Sequence, residues 1–272
     1  MFISSNGSTY HVKVVGEGEP IVLLHGFTGS LTTWDQTTEI LKNHFQCVLI
    51  DLIGHGDSDS PDNFARYQID KVVNDIIHIL NTLEIPIAHI AGYSMGGRVA
   101  LATAILYPTR VVSLILESSS PGIKTEEERA ARRKSDDQLA DRIDKEGIIK
   151  FVDYWENLSL FASQKALPKE KQLKIRKERL ENNPVGLANS LRGMGTGVQC
   201  SYWNRLDEIQ FPTLLLCGEL DQKFCKIAEE MASSIQNAKV EKIVEAGHAI
   251  HVEQPQIFGK IINEFVSDHF SK

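Results

Sequence analysis

Ser94, Asp221 and His248 occur in that order along the sequence, and together these residue types can activate a serine. A serine hydroxyl is a poor nucleophile or base at neutral pH unless an imidazole accepts its proton and a carboxylate fixes that imidazole's tautomer. Ser94 is the centre of Gly92-Tyr93-Ser94-Met95-Gly96, between the apolar run 87–91 and the helical pattern 98–106. This Gly-x-Ser-x-Gly spacing predicts a sharp strand-to-helix turn that holds the hydroxyl clear of the backbone.

The carboxylate of this group has more than one candidate in the sequence. Asp221 follows the predicted strand 211–217 and is the expected acid. Glu117, at the end of the predicted strand 111–116, is the rival, and Glu219 and Asp207 are weaker candidates. His248 lies in a loop after the last predicted strand and is the expected base. All these loops would then meet at the carboxyl edge of one sheet.

Two backbone N–H groups are expected to face the reacting centre and to stabilise developing negative charge there. One would come from Met95, directly after the serine, and the other from Phe27, which follows His25-Gly26. His25 and His55, both in glycine-rich loops, are expected to tie these loops together by hydrogen bonds. The sequence has neither a His-Glu-x-x-His pattern nor a cysteine cluster, so we expect no metal and no cofactor.

Short apolar runs alternate with helical patterns and predict the scaffold for these residues. The alternation favours the α/β class, with a mostly parallel central sheet flanked by helices. It stops between about 121 and 207, where strand-like runs vanish and charge density rises. We therefore predict a core of residues 1–120 and 208–272, with residues 121–207 inserted as a helical cap. The chain should end in an amphipathic helix over 255–270.

Composition limits the possible partners of the protein. Its 272 residues have a formal net charge of −7, with no basic patch of the kind that binds nucleic acid. There is no signal-peptide pattern and no apolar run long enough to span a membrane. The four cysteines form no Cys-x-x-Cys pair, which favours a reducing compartment. We expect a cytoplasmic protein whose partner is a small molecule, and the sequence leaves the oligomeric state open.

Five motifs in order resemble the α/β-hydrolase superfamily over nearly the whole chain. They are His25-Gly26-Phe27, Gly54-His55-Gly56, Gly92-Tyr93-Ser94-Met95-Gly96, Asp221 and Ala246-Gly247-His248. The resemblance implies the α/β-hydrolase fold. It also implies that Ser94, Asp221 and His248 act as a catalytic triad.

A narrower resemblance is visible in four longer segments. The segments 92–100, 117–122, 128–132 and 217–224 are similar to the 2-succinyl-6-hydroxy-2,4-cyclohexadiene-1-carboxylate synthase family of menaquinone biosynthesis. Members of that family use the triad to remove a proton and eliminate pyruvate from an enolpyruvyl cyclohexene acid. The resemblance therefore implies a carbon–oxygen lyase acting on a small polyanion.

A polyanionic substrate needs fixed guanidinium groups in its pocket. Arg98 is four residues after Ser94, one helical turn on, and is expected close to the reacting centre. By resemblance, the other substrate-binding residues would be Tyr93, Arg132, Trp155 and Arg179. Arg129 and Arg192 are the alternative arginines.

Two other functions remain open from the sequence. The triad would also serve a serine hydrolase, either a carboxylesterase or a hydrolase of carbon–carbon bonds. A non-catalytic binding module of the same fold is a third reading, which the presence of Ser94, Asp221 and His248 disfavours.

Overall fold

A computed structural model describes residues 1–269 and contains one eight-stranded sheet. The strands are β1 (Phe2–Ser5), β2 (Ser8–Val15), β3 (Glu19–Leu24), β4 (Phe45–Ile50), β5 (Ala88–Tyr93), β6 (Val111–Glu117), β7 (Thr213–Gly218) and β8 (Ala238–Ile243). Their order in the sheet is β1-β2-β4-β3-β5-β6-β7-β8. The pairs β1–β2 and β2–β4 are antiparallel and the rest are parallel, so the predicted mostly parallel sheet is confirmed.

Helices cover both faces of this sheet, which explains why central strands such as β5 and β7 are buried along their whole length. The helices are α1 (Asp35–Leu41), α2 (Ile69–Thr82), α3 (Met95–Leu106), α4 (Glu126–Trp155), α5 (Lys169–Leu180), α6 (Pro184–Met194), α7 (Gln222–Ala232), α8 (Ile250–Glu253) and α9 (Pro255–Ser267). Side chains of α2, α3 and α7 share one core cluster, and side chains of α1 and α9 share a second. None of the described helices is long and apolar enough to cross a lipid bilayer.

The segment between β6 and β7 has three α-helices, α4, α5 and α6, and no strand among its residues. Gly147 interrupts α4 with a φ of 80°. The helices α4 and α6 pack through a small apolar cluster of their own, which includes Phe151 and Leu187. We keep the name helical cap for residues 121–207; the predicted division of the chain into cap and core stays a prediction.

Several helix bounds differ from the sequence expectation. The helix after Ser94 begins at Met95 instead of 98, so its first turn directly follows the serine. The helix α7 begins at Gln222, where the Asp221 carboxylate caps it by accepting from the Phe224 N–H at 3.3 Å. The closing helix ends at Ser267, and residues 270–272 of the predicted core lie outside the described residues.

Candidate active site

Ser94, His248 and Asp221 form a continuous hydrogen-bonded chain at the carboxyl edge of the sheet. Ser94 Oγ lies 3.0 Å from His248 Nε2, and His248 Nδ1 lies 2.6 Å from Asp221 Oδ2. The three residues follow β5, β8 and β7, although up to 154 positions separate them in the chain. With Nδ1–H donating to the carboxylate, Nε2 is the ring atom free to accept the serine proton.

Ser94 has the strained backbone expected of a nucleophile turn. Its φ of 51° and ψ of −104° are unusual for a residue with a side chain, and its N–H donates to the Glu117 carbonyl at 2.8 Å. A Cβ on Gly92 would come within 2.3 Å of the Gly96 carbonyl oxygen, and one on Gly96 within 2.1 Å of the Leu24 carbonyl oxygen. Both glycines are therefore required by the close approach of β5, α3 and β3.

The backbone amides of Phe27 and Met95 are available to bind an anion. Met95 is the first residue of α3, where N–H groups lack intrahelical acceptors. Phe27 lies in the loop after β3, next to the turn closed by the Gly29 N–H and the Gly26 carbonyl at 3.0 Å. Neither amide has an acceptor among residues 1–269. Such a pair of amides can stabilise negative charge on an oxygen that approaches Ser94.

The rival acid, Glu117, has a different partner. Its carboxylate oxygens lie 2.9 and 2.7 Å from His251 Nδ1, and Oε1 also accepts from the His251 N–H at 3.1 Å. The alternative prediction, that Glu117 is the carboxylate paired with His248, is therefore wrong. Glu219, by contrast, accepts from a loop amide, the Glu245 N–H at 3.3 Å.

Of the two loop histidines, His25 ties its loop to the next one as predicted, whereas the hydrogen bond of His55 stays within its own loop. His25 Nε2 accepts from the Leu52 N–H at 3.0 Å, and His25 Nδ1 lies 2.8 Å from the Gly26 carbonyl. His55 Nδ1 lies 3.1 Å from the Ile53 carbonyl. Burial lowers the pKa of His25 to about 4 and that of His55 to about 3, so both are neutral at physiological pH.

Ser94 and His248 open into a cavity of about 250 Å³ between core and cap. Five predicted site residues besides these two and Met95 line it: Phe27, Tyr93, Arg98, Arg132 and Trp155. Lys223 and Phe224 also line the cavity, and sequence reasoning missed both. The Phe224 ring lies 4.7 Å from the His248 ring. The signal that could have predicted this contact is the start of α7 at Gln222, which places Phe224 in the first turn of the helix.

Arg98 is buried on α3 and fixed by acceptors from the cap. Its Nη1 donates to the Met194 carbonyl at 2.7 Å and to Gln199 Oε1 at 2.6 Å. Nε and Nη2 have no hydrogen-bond partner within the described part of the chain. Burial and the neighbouring Arg132 lower the pKa of Arg98 to about 10, which leaves the guanidinium charged at neutral pH.

Arg132 reaches the same cavity from α4. Its Nε donates to Asp136 Oδ1 at 2.8 Å, one helical turn further on. Because the guanidinium is partly exposed, its outer nitrogens remain accessible to a ligand. Trp155, at the end of the same helix, packs its indole against Phe27 and Phe151 with ring separations of 5.2 and 5.6 Å.

Arg179 does not line the Ser94 cavity. It lies in an adjoining cavity of about 570 Å³, which shares Phe27, Tyr93 and Phe161 with the first. Arg179 is buried, it stacks over Phe161 at 4.6 Å, and its Nη2 donates to Gln164 Oε1 at 3.0 Å. Its predicted role in substrate binding stays a prediction, and from this cavity it would contact a ligand that extends past the three shared aromatic residues.

The alternative arginines lie outside both cavities. Arg192 joins α6 to α4 through Asp141 at 2.7 Å and Asp144 at 2.8 Å. Arg129 pairs with Glu126 at 3.3 Å. Both are therefore engaged in ion pairs of the cap.

One group among the described residues has potential metal ligands close together: His11, Asp51 and Asp57, whose ligand atoms lie within 4.8 Å. The Asp51 oxygens already accept from the Leu31 N–H at 2.6 Å and the Asp57 N–H at 3.1 Å. His11 Nδ1 lies 2.9 Å from Asp51 Oδ2. The protein's own groups thus satisfy the atoms of His11 and Asp51, and the group lies outside the Ser94 cavity.

Residues 19–255 match the family described as the alpha/beta hydrolase fold. The chain belongs to this family. A Bacillus subtilis (strain 168) protein, provisionally named 2-succinyl-6-hydroxy-2,4-cyclohexadiene-1-carboxylate synthase, is 46% identical over 265 residues, 97% of this chain and 96% of the relative. A Citrobacter koseri protein with the same enzyme name is 34% identical over 88% of this chain and 90% of its own length.

The family's solved structures include one that superposes on almost the whole chain. The structure of MenH from S. aureus is 40% identical, with a TM-score of 0.91. The match covers 96% of this chain and 98% of that one. The likeness therefore includes the helical cap as well as the sheet.

Proposed function

We propose that the protein is a lyase that eliminates pyruvate from 2-succinyl-5-enolpyruvyl-6-hydroxy-3-cyclohexene-1-carboxylate. The product would be 2-succinyl-6-hydroxy-2,4-cyclohexadiene-1-carboxylate, an intermediate of menaquinone biosynthesis. One observation carries the proposal: the hydrogen-bonded Ser94 and His248 share a cavity with Arg98 and Arg132. Two cations beside the base suit a substrate with several carboxylates, and the 46% identity to the B. subtilis protein supports the same reaction.

The substrate and product define a 1,4-elimination. The C–H bond at ring carbon 2 breaks, its electrons form the C2=C3 double bond, and the C3=C4 double bond moves to C4=C5. The bond from C5 to the enolpyruvyl oxygen breaks, and the departing enolate takes up a proton to become pyruvate. The succinyl ketone on C2 acidifies the proton that is lost, because it accepts the negative charge as an enolate.

The residues around Ser94 fit the needs of this reaction. Ser94 Oγ would take the C2 proton while its own proton passes to His248 Nε2, 3.0 Å away. Asp221 would stabilise the resulting imidazolium through Nδ1. The enolate oxygen would bind to the free amides of Phe27 and Met95. A water-mediated second step is unnecessary, because no acyl-enzyme forms.

The helical cap would supply most of the substrate recognition. Arg132 and Trp155 reach the Ser94 cavity from α4, whereas Arg98 and Tyr93 come from the core. Arg179, in the adjoining cavity, would bind a carboxylate on the longest arm of the substrate. In this proposal residues 121–207 act as a unit that determines which anion reaches the serine.

The test is release of pyruvate from the enolpyruvyl substrate by the wild type and by the variants Ser94→Ala and Arg98→Ala. We expect Ser94→Ala to lower kcat by about a thousandfold or more, as loss of a triad member does in serine enzymes. Arg98→Ala should raise KM by about a hundredfold, since a buried charged contact is lost. Arg205→Ala, which removes an exposed arginine paired with Glu208, should change neither constant. Failure of the wild type to release pyruvate would refute the proposal.

A serine hydrolase is the alternative, because the same serine, imidazole and free amides suit acyl transfer. A hydrolase would form an acyl-enzyme on Ser94 and would have no requirement for cations. Rapid turnover of neutral p-nitrophenyl esters, unchanged in Arg98→Ala, would favour it over the lyase. A burst of p-nitrophenol equal to the enzyme concentration would show the acyl-enzyme.

A further inference from the structure

Asp136 lies on α4 behind the Ser94 cavity, and its side chain is almost fully buried. Oδ1 accepts from Arg132 Nε at 2.8 Å. Oδ2 is buried and has no hydrogen-bond partner within residues 1–269. A buried carboxylate with an unpaired oxygen costs free energy, so a role beyond folding is a reasonable expectation.

The surroundings of Asp136 act on the pKa of its carboxyl group in opposite directions. Burial raises its pKa, and Arg132 and Arg98 oppose that rise. The neighbouring Asp137 adds to the rise. Gly195 lies against the unpaired oxygen, since a Cβ there would come within 2.7 Å of Oδ2. The carboxylate thus lies behind the cavity, with the charges of two cavity arginines acting on it.

A guanidinium held at Nε has a defined orientation. The Arg132 Nε–H donates to Asp136, and the two outer nitrogens of the guanidinium have no hydrogen-bond partner among the described residues. These outer nitrogens form the planar fork that binds a carboxylate with two parallel hydrogen bonds. Without an acceptor at Nε, the partly exposed Arg132 side chain would be free to rotate into solvent.

We infer that Asp136 is a positioning residue, which orients the Arg132 guanidinium for a carboxylate of the substrate. The inference rests on the proposed function for the identity of that substrate. Asp136 acts through Arg132 and touches neither the substrate nor Ser94. Its loss should therefore weaken substrate binding and leave the proton transfer unchanged.

The chain contains a matched control on the same helix. Arg142 Nε donates to Glu146 Oε2 at 3.2 Å, also one turn apart, but the Glu146 side chain is exposed whereas that of Asp136 is buried. Glu146→Ala removes the same type of contact at the same spacing, far from either cavity. It should change neither kcat nor KM.

The experiment measures kcat and KM for pyruvate release in Asp136→Ala, Asp136→Asn, Arg132→Ala and the double variant Arg132→Ala/Asp136→Ala. We expect Asp136→Ala to raise KM by about tenfold, as loss of one charged hydrogen bond does, with kcat within about twofold. Asp136→Asn keeps an acceptor for Nε and should recover most of the loss. In the Arg132→Ala background, Asp136→Ala should have no further effect.

An unchanged KM in Asp136→Ala, an equal loss in Asp136→Asn, or multiplicative losses in the double variant would overturn the inference. Should the wild type release no pyruvate, the proposed function fails, and calorimetric titration with phthalate, a ring dicarboxylate, tests Asp136 separately. Wild type should then bind phthalate about tenfold more tightly than either Arg132→Ala or Asp136→Ala. No saturable binding to the wild type, or equal binding to all three proteins, would contradict the inference.

Discussion

Glu117 holds His251 at two points, through the backbone N–H at 3.1 Å and through Nδ1 at 2.9 Å. Both side chains are buried, and His251 lies only three residues after His248. The pair connects the end of β6 to α8. It therefore fixes the loop that presents His248, beside the Ser94–His248–Asp221 chain and separate from it.

Replacement of Asp221 and replacement of Glu117 should affect different properties, kcat in the first case and stability in the second. Asp221→Asn should lower kcat by about a thousandfold or more, because the imidazole loses its orienting charge. Glu117→Gln should instead lower the free energy of unfolding by about 2–4 kcal/mol, because the amide removes one of the oxygens that accept from the buried His251, with a much smaller change in kcat. Urea unfolding and pyruvate release measure the two effects. Equal losses of kcat in both variants would contradict the assignment of Glu117 to His251.

The strain at Ser94 predicts a difference between two inactive variants. Ser94→Ala keeps a Cβ at a φ of 51°, whereas Ser94→Gly removes it. Ser94→Gly should therefore be more stable than Ser94→Ala by about 1 kcal/mol. Thermal unfolding of both proteins checks this. The strain would be refuted if Ser94→Gly unfolded at the lower temperature.

The buried His25 predicts a loss of stability in acid. Its pKa is lowered by burial from 6.5 to about 4, so the unfolded chain binds a proton that the folded chain does not between these values. Stability should thus fall as the pH drops below about 6.5, by about 2 kcal/mol for this group at pH 5. His25→Gln should reduce the slope of unfolding free energy against pH. His78→Gln, at an exposed position, should leave the slope as it is.

Gln199 predicts a selective effect on substrate binding. Its Oε1 is one of two acceptors that fix Arg98 Nη1 in the cavity. Gln199→Leu should raise KM for the enolpyruvyl substrate by about fivefold with little change in kcat, because the guanidinium loses one hydrogen bond. Gln210→Leu, an exposed replacement of the same kind, is the control. A loss confined to kcat would show that Gln199 acts elsewhere.

The sequence predicted the sheet and the grouping of Ser94, Asp221 and His248 because each follows a short apolar strand. Parallel strands bring such loops to one edge whatever their separation in the chain. Arg98 was predicted by local spacing alone, one helical turn after the serine. The partner of Glu117 could not be predicted, because His251 lies 134 positions away and only packing brings the two together.

The cap was the least predictable region. Arg132 and Arg179 both lie on charged helices, and their sequences do not indicate which helix face is covered. Only the packing of α4 against α6 and the burial of α5's Arg179 decide which cavity each arginine reaches. The burial of Asp136 could not be predicted either, because an acidic residue in a charge-rich helix is usually solvated.

The hydrogen bonds that align Ser94 come from the ends of β5, β7 and β8, whereas Arg132, Trp155 and Arg179 come from residues 121–207. Mutations that alter recognition can therefore accumulate in one continuous stretch of the gene without disturbing the proton relay. A lineage with this architecture can acquire a new substrate by drift in the insert alone. Arg98 and Tyr93 are recognition residues of the core, and they would constrain such drift.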